Sequence, residues 1–161
     1  MQVGAIAVTA VVVVFGKQFY RAATADELQW LLAPVAKLVG WMTGARFAYD
    51  AELGWVSRDA RFVIAPVCAG LNFALAAFLA LSLGWLPAMR RARDAAARLL
   101  GAAVIAYAAT IVVDSLRIAL ALETRADGAA HEALGVVVYL GALCALYALV
   151  VRGRRQHVAA A

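Results

Sequence analysis

Residues 99–122 read LLGAAVIAYAATIVVDSLRIALAL, an unbroken apolar run whose two charges, Asp114 and Arg117, stand in its second half. A helix needs ~20 apolar residues to cross the ~30 Å hydrocarbon core of a bilayer, and this run meets that length. Its polar side chains are not scattered. Tyr107, Thr110, Asp114 and Arg117 recur at intervals of three, four and three, which puts them on one helix face. An ionisable group at membrane depth costs ~2.5–3.5 kcal/mol on insertion scales and normally faces the protein interior. The run therefore predicts a spanning helix with an inward polar stripe, in which Asp114 pairs with Arg117 and holds its guanidinium.

Working outward, 64–86 and 131–151 meet the same length. A fourth run, 3–20, is shorter and interrupted by Lys17. It lacks the basic start and small-residue cleavage site of a removable leader and is expected to be a retained first helix. In 28–43, Leu28, Leu31, Leu32, Val35, Leu38, Val39 and Met42 recur at helical spacing, with Gln29 and Lys37 elsewhere around the helix. At about 16 residues this segment suits a helix lying in the membrane interface; a short spanning helix is the alternative. The polar stretch 44–61, with alternating Phe47 and Tyr49 and with Trp55 beside Gly54, predicts a small extracytoplasmic β-hairpin, because an open sheet edge is not tolerated in lipid.

Composition agrees. Of the 161 residues 66% are apolar, against roughly 45–50% in a soluble domain, and the mean hydropathy is +0.84. The expected fold is an all-α integral membrane protein. A single polytopic domain over 1–161 forms a bundle of four to five transmembrane helices, with the interfacial helix and the hairpin.

The net charge of +5 resolves into two clusters. Arg90, Arg91, Arg93 and Arg98 fill the 87–98 connection, and Arg152, Arg154 and Arg155 follow the last apolar run. Neither is interleaved with aromatics and each flanks a long apolar segment, so they read as topology signals rather than as a nucleic-acid surface. Both clusters are expected in the cytoplasm, which places 123–130 outside. Two cysteines, Cys68 and Cys144, make no disulfide framework. Cys144, mid-helix in an apolar run, reads as a packed, inert thiol.

On this topology Cys68 lies about one turn into the outer end of its helix. Arg117 lies about five residues, roughly 7 Å, from the outer end of the next, and His131 opens the last. Three helices bring a thiol, a guanidinium and an imidazole to one depth on one side. Each has a plain alternative: a packed cysteine, an arginine snorkelling to headgroups, a solvated histidine. Neighbours argue for a site. Asn72 follows Cys68 by four residues, Gly70 leaves room for close approach, and Gly135 and Tyr139 continue the face of His131. A nearby cation favours a thiolate nucleophile. His131 could take the thiol proton and return it to a leaving amine. Arg117 could neutralise the tetrahedral oxyanion, a role worth ~3–4 kcal/mol per donor.

The stretch Val67-Cys68-Ala69-Gly70-Leu71-Asn72-Phe73, the segment Asp114-Ser115-Leu116-Arg117-Ile118 and the start His131-Glu132-Ala133-Leu134-Gly135 resemble the cysteine, arginine and histidine motifs of the exosortase/archaeosortase family, and of exosortase K in particular. The resemblance covers about 28–145; the first helix adds nothing specific to it. Many exosortases have Ser where Ala69 stands and Asn where Asp114 stands. The resemblance implies a multi-pass cysteine peptidase or transpeptidase of the bacterial inner membrane, with its active site on the extracytoplasmic side. Its partner would be an exported protein ending in a short motif, a transmembrane helix and a basic tail. Carried over, Cys68 is the nucleophile, Arg117 the oxyanion-binding or orienting cation and His131 the acid/base, supported by Asn72, Asp114, Tyr107 and Tyr139.

Two other classes compete. A small transporter or proton-relay subunit would use Tyr107, Asp114 and Arg117, but would need the stripe to continue past Ala103 and Leu100. A non-catalytic membrane assembly subunit would leave Cys68 merely packed. No cofactor is expected: His157 lies in the basic tail, away from His131, and no clustered Cys/His spacing suggests a metal.

Overall fold

The computed structural model describes the backbone of residues 2–59, 61–124 and 128–159, and their side chains except those of 128–132 and 153–159. In chain order the elements are helix α1 (Gln2–Ala22), helix α2 (Gln29–Thr43), strands β1 (Ala48–Asp50), β2 (Gly54–Ser57) and β3 (Phe62–Ile64), then helices α3 (Leu71–Trp85), α4 (Ala92–Thr124) and α5 (Gly128–Ala159). Among the described residues, four helical segments are long and apolar enough to cross a membrane: Gln2–Ala22, Pro66–Ala88, Ala92–Thr124 and Ala133–Arg152. Helix α2, at 15 residues, spans only about 22 Å at 1.5 Å per residue.

Helices α3 and α4 form the centre. Helix α3 packs on α1, α4 and α5, and α4 also receives α2. The face α4 buries is Ala102, Ala106, Thr110, Asp114, Ser115, Ile118 and Ala121. Small side chains there let neighbouring backbones approach, which is how helices associate where no hydrophobic drive separates them from lipid. Helices α1 and α5 sit outside with most of their apolar side chains exposed, among them Val3, Phe15, Val136, Val137 and Leu149.

The chain enters α2 through a turn closed by Thr24 and Glu27, and the N-cap residue, Leu28, makes no side-chain capping bond. The Thr24 N–H donates to Glu27 Oε2 at 2.8 Å, and the Glu27 N–H to Thr24 Oγ1 at 3.4 Å. Leu28, Leu31, Leu32, Val35 and Val39 are then fully buried, as their spacing predicts, while Met42 is exposed. Pro34 lies inside this helix. It has no N–H for the carbonyl of Trp30 four residues earlier, and the Tyr107 hydroxyl of α4 donates to that carbonyl at 2.8 Å instead. The Trp30 and Tyr107 rings stack, centroids 5.7 Å apart. A proline in one helix is thus matched by a tyrosine in another.

The expected hairpin is there as β1 and β2, paired antiparallel with Tyr49 opposite Trp55. Asp50 Oδ1 closes the turn by accepting from the Glu52 and Leu53 N–H groups. A third strand was not foreseen: β3 pairs with β2, Trp55 opposite Ile64. Gly54 has φ +99, and a Cβ there would stand 2.5 Å from the Ile64 carbonyl oxygen, so only glycine fits.

This strand corrects the third apolar run. Ile64, expected to open a spanning helix, ends β3 and is fully buried. A 3-10 turn, Pro66–Cys68, follows, and α3 begins only at Leu71, after Gly70 at φ +64. The break has a local cause: proline suits only the start of a helix and Gly70 takes the left-handed conformation that ends one. Cys68 is therefore on a turn rather than one turn inside the helix. The basic connection is shorter too, since α4 starts at Ala92 and carries Arg93 and Arg98 itself. Cys144, expected to be packed, is exposed on the outer surface. Helix α5 is apolar all round, so its sequence does not say which face turns inward.

Candidate functional site

The Asp114 carboxylate is fully buried. Its Oδ1 accepts from Arg117 Nε at 3.0 Å and from the Tyr139 hydroxyl at 2.6 Å. The Arg117 guanidinium also lies over the Tyr139 ring, 5.3 Å from its centroid, and Phe73 of α3 packs on the ring's neighbourhood at 5.2 Å between centroids. The ion pair links residues one turn apart on α4; the tyrosine ties α5 to it. Among the described residues only Nε of Arg117 is engaged by a hydrogen bond.

Cys68 reaches this network through Gly70. A Cβ on Gly70 would stand 3.0 Å from Thr110 Cγ2 and 3.2 Å from Asp114 Cγ, so the backbone two residues after the cysteine rests directly on the buried acid. Ala69 is fully buried, and Cys68 is half-buried. The turn closes on itself, the Cys68 N–H donating to Ala65 O at 2.8 Å and the Ala69 N–H to Pro66 O at 3.0 Å. The Cys68 side chain packs against the buried cluster that includes Leu71 of α3 and Ile118 of α4. Gly135 faces Arg117 from α5, where a Cβ would stand 3.5 Å from Arg117 Cδ.

Of the residues singled out by sequence, Cys68, Asp114, Arg117 and Tyr139 come together. His131 lies in the first turn of α5, one turn before Gly135, and its side chain is outside the described residues. Tyr107 is not in the cluster; it is spent on the Trp30 carbonyl. Thr110 returns its hydroxyl to Ala106 O at 2.7 Å. Asn72, in the first turn of α3, accepts from Lys17 Nζ at 2.6 Å.

Two residues of α1 were missed. Lys17 is one. Tyr20 is the other: its hydroxyl donates to the carbonyl oxygens of Val67 at 2.9 Å and Pro66 at 3.3 Å, on the cysteine's own turn. A lysine inside an apolar run was the available signal, and it read only as an interruption.

A half-buried thiol on a turn seated on this network can serve as a nucleophile, and the Arg117 guanidinium can accept an oxyanion that forms on a carbon the sulfur attacks. The chain matches no family model, no curated protein and no solved structure.

Proposed function

We propose that this chain is an exosortase-like membrane cysteine peptidase or transpeptidase, lying in the bacterial cytoplasmic membrane with its active site on the extracytoplasmic side. The observation that carries the reading is the seating of the Cys68 turn, through Gly70, on the Asp114–Arg117–Tyr139 network. A packing cysteine needs no buried ion pair under its turn.

In the proposed reaction the Cys68 thiolate attacks the scissile carbonyl carbon, and an S–C bond forms. The carbonyl electrons move onto oxygen, where a terminal amino group of Arg117 receives the charge. His131 takes the thiol proton and delivers it to the amine as the C–N bond breaks. The resulting thioester is resolved by water or by an amine. Asp114 and Tyr139 position the guanidinium. The substrate class is an exported protein ending in a short motif, an apolar helix and a basic tail.

The proton-relay reading is disfavoured because the buried stripe of α4 continues from Thr110 as Ala106 and Ala102, which carry no proton. The assembly-subunit reading is separated by experiment. Processing of a co-encoded exported protein with such a tail should be abolished in Cys68→Ala and nearly so in Cys68→Ser, and should fall by about 10²–10³ in Arg117→Ala, with Cys144→Ala at the parental rate. Parental processing in Cys68→Ala refutes the assignment.

A further inference from the structure

The first helix grips the cysteine's turn from both sides. Counting up α1, Gly16 meets Leu75, where a Cβ would stand 2.7 Å from Leu75 Cδ2; Lys17 Nζ donates to Asn72 Oδ1 at 2.6 Å; and the Tyr20 hydroxyl donates to Val67 O at 2.9 Å. As α1 ascends, its partners step backward through 75, 72 and 67, so Cys68 falls between the last two. The remaining hold of α1 is slight, its buried side chains being only Ala5 and Thr9. Its polar contacts are concentrated where the nucleophile is.

A helix that merely filled space would need none of this. The 3-10 turn holding Cys68 has only its own short backbone bonds, and such turns are weak. The Pro66 carbonyl already accepts from the Ala69 N–H; the Tyr20 hydroxyl, one turn past Lys17, adds a donor to it and to the Val67 carbonyl. We infer that Lys17 and Tyr20 are positioning residues that clamp the Cys68 turn onto Thr110 and Asp114, the base of the Asp114–Arg117–Tyr139 network. This inference rests on Cys68 being the nucleophile of the proposed reaction.

The test uses the full chain in detergent on a Cys144→Ala background, with two measurements that do not require peptide cleavage. One is amide hydrogen exchange over 65–72, which reports local opening; the other is the rate at which iodoacetamide alkylates Cys68, an S–C bond forming as iodide leaves. In Tyr20→Phe and Lys17→Met, exchange over 65–72 should accelerate about fivefold, the equivalent of one ordinary hydrogen bond, while exchange in 102–118 stays parental. Alkylation should slow about fivefold as the turn shifts from its seat on the Asp114 network, and Lys17→Arg should retain parental values in both. Opposite directions are the signature, because simple loosening raises both rates together. Rates that both rise, or that both stay parental, overturn the clamp. Loss of processing in the parent chain would remove the peptidase reading without touching exchange, so the two failures are distinguishable.

Discussion

At φ +64, with Thr110 and Asp114 within 3.0–3.2 Å of where a Cβ would be, Gly70 combines a left-handed backbone and a close approach. Gly70→Ala should cost roughly 1–3 kcal/mol from backbone strain alone, and the added methyl should push the Cys68 turn off Asp114. Denaturant unfolding in detergent checks the first effect and substrate processing the second; parental values in both would mean that the turn does not depend on this contact. The acid beneath Gly70 was legible in the sequence because every polar side chain in an apolar helix is a marker. Asp114, Arg117 and Tyr139 could therefore be placed by spacing. Lys17 and Tyr20 could not, since nothing local says that the end of the first helix lies beside residues 66–72.

Between elements, the Pro34–Trp30–Tyr107 contact makes a sharper prediction. Tyr107→Phe leaves the Trp30 carbonyl without its donor and should cost about 1 kcal/mol. Pro34→Ala restores an N–H that can bond the same carbonyl within α2, so the loss on Tyr107→Phe should be smaller in the Pro34→Ala background. A double-mutant cycle on thermal unfolding measures the coupling, and strictly additive effects would show that the tyrosine is not compensating for the proline. Helix α2 was readable because its apolar residues occupy one face. The break before α3 was not, because apolar residues on either side of Pro66 and Gly70 merge a strand, a turn and a helix into one hydrophobic run. For α5 the helix itself was plain and its rotation was hidden, which is why Cys144 was placed on the wrong face.

For the whole molecule, exposed apolar side chains wrap α1 and α5, more than a soluble monomer tolerates, and the arginines gather at 90–98 and beyond 151. With lipid around the bundle, single cysteines introduced into the 87–98 connection on a Cys-free background should react with membrane-impermeant maleimide only from the cytoplasm, and those at 123–130 only from outside. Outside labelling of 87–98 would put the Cys68 end on the wrong side for an exported substrate. The central claim is that Cys68 becomes acylated, and intact-mass spectrometry of the chain mixed with a candidate exported protein tests it most directly. The account predicts a transient adduct equal to the amino-terminal part of the substrate, carried on Cys68, released by hydroxylamine and absent from Cys68→Ala. Cleavage of the substrate with no adduct, undiminished in Cys68→Ala, would contradict it.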